Sequence, residues 1–551
     1  MRSVKTWITY FLFMAAALGL AAQTRALNDG WLWASGAGGS GEDEAWSVCP
    51  DAAGNIYVAG FFSGLANFGS WTLGAIGGTD AFVARMSPAG EWLWAISFGD
   101  FGNERVNCIR VDAMGYIYVT GSFDNNLQLP GGPPLYTHGG SDAFIARLDP
   151  NGFDLWWAQV GGQGNDAGTG IAVDNQGNAY ATGHFEGEAY FISSYDLQSR
   201  AAQGESDLYA MKIGEWGWVQ WISTAGGPND DISNGIVADQ AGNAYVAGHF
   251  WGNPAFGPHT LANTGWWDAF AAKLDPLGNW IWARQSVGYG SEWCNGIAID
   301  SASNIYIAGG FDLDTSFGAT NLIHQGWTYQ DVFAAKLDPQ GNWIWASGAG
   351  GIGSDWAYGV AVDAGANVYL TGIFDSVTAA FGDTSIACLG AADVFAAKLD
   401  PLGNWLWVAQ AGGADNEWSH SVCADGNGMV YLAGNFQSTA AFGDDVLNTN
   451  GVYDIFIAKL EGTVQAPAIP LTPQNIRIAR TPAGVIWLAW DAVTQDTNGN
   501  PITPTYAVYQ SADPYGGWAL LGSTANTSYT CSFTELPGAG FFYVAAEAPS
   551  E

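Results

Sequence analysis

The chain is poor in positive charge. It has 16 Lys and Arg against 52 Asp and Glu in 551 residues, a formal net charge of −36. Phosphate recognition needs clustered Lys and Arg, so nucleic acid and anionic membrane surfaces are excluded as partners. Charge of either sign is scarce, at 12% of residues, about half the usual ~25%. Disordered chains are charge-rich and poor in aromatics. Aromatic residues here reach 14% and apolar residues 48%, so a substantial core is expected. Cysteine is sparse: Cys49, Cys108, Cys294, Cys388, Cys423 and Cys531. Six over this length make no disulfide scaffold, and without a C-x-x-C a zinc site has no support. Cys49 and Cys423 fill slots held elsewhere by Ala172, Ala298 and Ala361. That suits small buried residues; a bridge between them would need Cα atoms within about 7 Å. No helical period of useful length appears, and neither G-x-S-x-G nor H-E-x-x-H occurs.

Long apolar runs are also missing, with one exception. Trp7 to Ala22 is almost wholly apolar and follows Arg2 and Lys5. At about 16 residues it is short of the ~20 that a membrane-spanning helix needs. Residues 1–26 therefore read as a secretory signal peptide. The expectation is a secreted or cell-surface protein, extracellular or periplasmic, with no membrane insertion after the signal is removed.

What the sequence has in excess is glycine (76), tryptophan (28) and repetition. The pattern D-[AVIL]-[FY]-x-[AM]-[KR] recurs at Asp80, Asp142, Asp207, Asp268, Asp331, Asp393 and Asp454, with gaps of 61 to 65 residues. Y-[VLIA]-[AT]-G recurs at Tyr57, Tyr118, Tyr180, Tyr245, Tyr306, Tyr369 and Tyr431. A W-x-W marker or a relaxed form of it ends at Trp33, Trp94, Trp157, Trp221, Trp282, Trp345 and Trp407. Each of three independent markers counts seven. Within a repeat, IAID (297–300), NIYIAG (304–309), DVFAAKL (331–337) and WIWA (343–346) read as four strands, alternating β-branched and aromatic residues as a pleated ribbon requires. The links D-x-x-G-N and D-P-x-G-N are tight turns: Asp and Asn cap, Pro presets φ, and Gly takes the positive φ.

Four strands repeated seven times predict an all-β fold, a seven-bladed β-propeller over residues 27–461. The N-terminal Trp31-Leu32-Trp33-Ala34 is a fourth strand without its own repeat, and the last repeat stops at its third strand, Asp454 to Leu460. The first can complete the second, closing the ring and removing an exposed edge. With the signature G-x-G-x-[DE]…VD-x-x-G-N-x-Y-[VLI]-[AT]-G…D-[AV]-F-x-A-K-L-D-P-x-G-N-W, the chain resembles the bacterial seven-bladed β-propeller (SBBP) repeat family. The resemblance covers roughly residues 30–461. It implies a secreted or surface propeller and transfers no catalytic residues. Residues 462–472 form a Pro-containing linker. Residues 473–551, with about seven short strands, are similar to a fibronectin type III domain, a β-sandwich. Trp490 would fill its core Trp position and Tyr543 an aromatic position on a late strand; Cys531 lacks a partner there.

Sites are expected on the face carrying the four-to-one and two-to-three loops, where a rigid scaffold holds variable segments. The four-to-one loop has an acid in every repeat: Asp43, Glu104, Asp166, Asp231, Glu292, Asp355 and Glu417. Trp293, Trp356 and Trp418 come directly after such an acid, and Trp46 is near-equivalent in the first repeat. Carboxylates beside aromatic faces suit sugars, through stacking and hydrogen bonds. Set against this, a residue present in every repeat is commonly part of the construction, here a carboxylate accepting backbone N–H bonds. Two further rings read as structural: Asp51 and its equivalents start the first hairpin turn, and Asp80 and its equivalents open strand three. The string G-G-x-G-x-D (161–166 and 350–355) resembles calcium-binding nonapeptide repeats, yet appears once per 62 residues rather than every nine. No cofactor is required; calcium at clustered carboxylates stays open. His184 and His249 occupy equivalent positions but lack a third ligand.

The functional expectation is a monomeric, non-enzymatic binding or scaffold protein that presents a propeller face to an extracellular polysaccharide or a surface protein. The alternatives are a glycosidase or lyase using two acids of the ring, and a purely structural cell-surface protein.

Overall fold

The structure, a computed structural model, describes residues 30–462 except 327–328 and 426–427, together with the backbone of six strands between 477 and 547. The signal-peptide assignment (1–26), the linker (462–472, beyond its first residue) and Trp490 lie outside the described residues. So do the side chains of Tyr543 and Cys531. The chain divides into two units, Met1–Val464 and Gln465–Glu551.

Every described element of the first unit is a strand or a turn. Each repeat folds as an antiparallel four-stranded ladder. In the fifth repeat Glu292–Ile299 pairs with Ile305–Phe311, that strand with Asp331–Leu337, and that with Trp343–Ala349. The seventh repeat takes Glu417–Ala424, Met429–Phe436 and Asp454–Glu461 from its own sequence. Its fourth strand is Trp31–Gly39, antiparallel to the third, with Trp31 opposite Leu460 and Ala37 opposite Ile455. Beyond that register Gly38 and Gly39 pair with Asn67 and Ala66 of the first repeat.

The sequence markers describe one local device. Asp300 Oδ1 accepts the backbone N–H of Ala302 and Asn304, both at 2.9 Å, and Oδ2 accepts Asn304 Nδ2 at 2.7 Å. The Tyr306 hydroxyl donates to the same Oδ2 at 2.9 Å. Lys336 lies over the Tyr306 ring, 4.8 Å from its centroid, and 4.0 Å from Asp300. The Asp of the first turn, the Tyr of strand two and the Lys of strand three thus close a knot that fixes the ladder register. Asp51 and its equivalents have this turn role.

Packing joins one repeat to the next. The apolar clusters combine residues of neighbouring sheets, for example Trp407 and Val394 with Val430 and Phe456, or Ile455 and Ile457 with Val58 and Phe82. Inner strands lie side by side in chain order, and Glu417–Ala424 packs against Asp43–Pro50. A second aromatic device caps the sheets: Phe256, Phe317, Phe381 and Phe442 each meet a third-strand Phe and, edge-on at about 5 Å, a Trp that opens a fourth strand.

One boundary differs from the expectation. In the first three repeats strand three begins well before its marker Asp, at Trp71, Pro134 and Leu197. The segment Glu186 to Ser206 is not a loop. It continues strands two and three as a hairpin with Glu188 opposite Ala201 and Ile192 opposite Leu197. Alternating side chains there let the ladder run on past the repeat's core.

In the second unit, Arg477–Arg480, Val485–Ala489 and Ser528–Ser532 form one antiparallel sheet. Ala519–Thr524, Thr505–Ser511 and Phe541–Glu547 form another.

Candidate functional site

The seven acids of the four-to-one loop are fully buried, each 0% exposed. This withdraws them as surface ligands for a sugar. Each is the first residue of an inner strand, or the residue just before it; six accept backbone N–H groups, and Glu292 accepts the Ser286 hydroxyl at 2.9 Å. Asp43 accepts Gly39 N–H at 2.7 Å, Asp231 accepts Gly227 N–H at 2.6 Å, and Glu417 accepts Gly413 N–H at 2.9 Å. Asp166 accepts Gly162 N–H at 2.6 Å and Glu186 N–H at 2.9 Å. Burial raises all seven. Asp355 is pushed to about 6, Asp43 and Asp166 to about 7, and Glu104, Asp231, Glu292 and Glu417 to about 8.

What does reach a shared cavity is a position three residues after each acid. Every inner strand carries a bulge there, and the ladder skips from Ala45 to Ser47, Val106 to Cys108, Gly168 to Gly170, Ser233 to Gly235, Cys294 to Gly296, Ala357 to Gly359 and Ser419 to Ser421. A bulge leaves one residue unpaired and re-aims it. The skipped residues are Trp46, Asn107, Thr169, Asn234, Asn295, Tyr358 and His420. They line one cavity of about 100 Å³, to which all seven inner strands contribute. That is narrower than the roughly 300–1,000 Å³ of small-molecule pockets.

The ring of bulge residues has two unlike arcs. Four of them bond across to the next repeat: Asn107 Nδ2 to Gly168 O (2.8 Å), Thr169 Oγ1 to Ser233 O (2.6 Å), Asn234 Nδ2 to Cys294 O (2.8 Å) and Asn295 Nδ2 to Ala357 O (2.9 Å). These staple inner strands together. The other three, Tyr358, His420 and Trp46, form an aromatic arc. Trp46 stacks on His420 with centroids 5.3 Å apart and planes 20° from parallel, and His420 meets Tyr358 at 5.8 Å. Tyr358 lies parallel to Trp356 at 6.3 Å, and Trp356 meets Trp293 at 5.2 Å. Polar groups flank the arc. Trp46 Nε1 donates to Glu44 at 2.8 Å, and the Arg105 guanidinium sits 5.4 Å from the Trp46 ring centroid. His420 Nε2 is 2.8 Å from Asn435 Oδ1, and burial holds the imidazole below its usual value.

Of the predicted aromatics, the structure gathers Trp46, Trp356 and Trp293, all half-buried. Trp418 stands apart, edge-on to Tyr453 at 5.3 Å. Trp46 is not the equivalent of the other three. It is a bulge residue, and Glu44 occupies the position directly after the acid. Sequence reasoning missed Tyr358, His420, the three Asn residues and Thr169. Their signal was a constant offset from each acid combined with a change of residue type. The thiols of Cys49 and Cys423 are free. His184 and His249 both feel the Asp230 carboxylate, and burial holds both below their usual values, His249 at about 4. Among the described residues no three His, Cys, Asp or Glu side chains gather as a metal shell.

Strand ladders and repeats define a β-propeller repeat protein. The beta-propeller repeat model (SBBP) matches residues 155–184, 220–254 and 281–309. Among curated protein sequences, the chain is 23% identical over 540 residues to an uncharacterised WD repeat-containing protein, L264, of Acanthamoeba polyphaga mimivirus. The match covers 79% of this chain and 38% of that relative, so the chain spans about two-fifths of its length. Solved structures with partial likeness include puromycin hydrolase (11% identity, 82% of this chain and 59% of that one, TM-score 0.36). Saccharomyces cerevisiae Sqt1 is another (8% identity, 76% and 97%, TM-score 0.34). Likeness at this level bears on neither protein's activity here.

Proposed function

We propose that the first unit is a seven-bladed propeller closed by its N-terminal strand, and that it is an exported, non-enzymatic binding protein. Its ligand is an extracellular polysaccharide, held at one end of the axial cavity by the arc Trp293–Trp356–Tyr358–His420–Trp46. Closure is supported by the pairing of Trp31–Gly39 with Asp454–Glu461 and by the contact between the first and last inner strands. The second unit, with three-stranded sheets in the order expected of a fibronectin type III-like domain, serves as spacer.

The arc carries the functional reading. Aromatic faces offer apolar area with little conformational entropy to lose, and Glu44, Arg105 and Asn435 supply hydroxyl-bonding groups beside them. Like residues repeated seven times build a ring. The departure from repetition is confined to one side, which is where a specific ligand would be read. Buried, backbone-bonded acids and a cavity of about 100 Å³ offer no pair of open carboxyls astride a glycosidic bond, so binding is favoured over hydrolysis. A glycan array followed by titration calorimetry tests this. Trp46→Ala and Trp356→Ala should each weaken binding by about five- to 150-fold, the scale of one lost stacking contact of about 1–3 kcal/mol. Trp418→Ala should leave it unchanged. Equal binding by the Trp46 and Trp356 variants would remove the arc from consideration.

A further inference from the structure

Each four-to-one acid faces a second buried carboxyl, the Asp that marks strand three of the repeat before it. Asp454 bears on Asp43, Asp80 on Glu104, Asp207 on Asp231 and Asp393 on Glu417, and the remaining repeats do likewise. Six pairs are 24 residues apart in sequence, as from Asp393 to Glu417. The pair Asp454–Asp43 joins opposite ends of the unit. In four pairs, at Gly38, Gly99, Gly350 and Gly412, both carboxyls converge on the place a glycine Cβ would take. A Cβ at Gly412 would lie 2.5 Å from Asp393 Oδ1 and 2.8 Å from Glu417 Oε2, and one at Gly38 would lie 2.8 Å from Asp454 Oδ1 and 2.9 Å from Asp43 Oδ2. Glycine there makes room for the pair.

The hydrogen-bond account of these pairs does not balance. In Asp393–Glu417 each carboxyl spends one oxygen on a backbone N–H, of Leu389 and Gly413 respectively. Asp393 Oδ1 and Glu417 Oε1 have no donor. The same holds for Asp207 Oδ1 and Asp231 Oδ1, and every one of the seven pairs leaves at least one carboxyl oxygen without a donor. A buried acceptor without a donor is costly, and two adjacent carboxylates cannot both ionise cheaply. In two pairs a histidine bears on the strand-three Asp, His138 on Asp142 at 3.1 Å and His324 on Asp331; no cation bears on the other five. The groups that bear on Glu417 besides Asp393 are acidic, Asp415, and the Cys388 thiol stands beside Asp393. Asp231 is faced by Asp207 and Asp230, with His184 and His249 on the Asp230 side.

We propose that each of the five inter-repeat pairs without a histidine shares one proton, so that an acid–carboxylate hydrogen bond clamps those repeats to their neighbours and the clamps are released by alkali. One proton removes the like-charge repulsion and supplies the missing O–H donor at once. The folded chain then holds protons that the unfolded chain has released. That contribution to stability is complete below the ordinary carboxylate range and is lost as pH rises through the folded values. The inference does not depend on the glycan reading, because it concerns the construction of the ring.

The test uses the full chain. Infrared spectra at neutral pH should retain the C=O stretch of protonated carboxyls, which disappears on alkaline titration. An amide can supply the donor without a proton, so Glu417→Gln and Asp231→Asn should each lower the slope of log unfolding constant against pH by about one, and the double variant by about two. Melting should be indifferent to a chelator. Absence of the infrared band in the unmodified chain overturns the proposal even if a variant fails to fold. So does an unchanged slope in a folded variant. Chelator-sensitive melting restored by calcium would replace the proton with a cation and overturn it equally.

Discussion

Replacing Trp31 with alanine probes the proposed closure directly. Trp31 opens the N-terminal strand and is 8% exposed. Its ring meets Phe442 edge-on at 5.3 Å, and Nε1 donates to Gln410 O at 3.1 Å. Burying an aromatic side chain removes roughly 150–250 Å² from water, which at ~25 cal/mol per Å² is about 4–6 kcal/mol. A compact unfolded chain lowers that figure, so truncation should cost about 3–5 kcal/mol, as large core truncations do. Trp280 is the control. It lies in the middle of the chain, is also 8% exposed, meets Phe256 edge-on at 5.1 Å and donates to Thr224 O at 3.2 Å. If the N-terminal strand is an integral part of the last sheet, the two variants should be destabilised alike. Denaturant unfolding of the propeller transition, monitored by Trp fluorescence, compares them. A cost under ~1 kcal/mol for Trp31→Ala beside a full cost for Trp280→Ala would refute the reasoning, because the strand would then be an appendage.

The remaining predictions concern the turns and pH. Asp363 accepts Gly365 N–H (2.8 Å), Asn367 N–H (2.9 Å), Asn367 Nδ2 (2.8 Å) and the Tyr369 hydroxyl (3.0 Å), so Asp363→Ala should cost about 2–3 kcal/mol in chemical denaturation. Asp363→Asn should cost less. Burial pushes Asp300 and Asp363 up, but their hydrogen bonds outweigh it and leave both below the ordinary value of 3.8. Their contribution is therefore present above that value and lost as pH falls through the folded one, opposite in sign to the buried pairs. Melting temperature against pH should peak in mildly acidic solution and decline on both sides; a profile rising steadily from acid to alkali would contradict the assignment.

The hairpin turns and the face packing of each strand were legible in the sequence because their causes are local. D-x-x-G-N carries its own capping carboxylate and its own positive-φ glycine, such as Gly54 and Gly242, and alternation declares the buried face. The acids were legible as a ring but not as buried. A carboxylate in a loop reads as solvated until the preceding repeat's Asp and the covering glycine are placed against it. The 24-residue spacing of six pairs was visible in principle, and its meaning required the sheets to be packed.

The sequence by itself therefore determined the repeat, the four strands within it, the turn chemistry and the orphaned N-terminal strand. Short-range hydrogen bonds and periodicity are sufficient for these. Tertiary structure alone decided what the cavity presents. A one-residue bulge in each inner strand turns Trp46, Tyr358 and His420 toward the cavity and leaves Trp418 outside the arc. Side-chain direction in a β-strand reverses with every residue, so a single unpaired position reassigns the facing of every residue beyond it. No local pattern marks where that position falls.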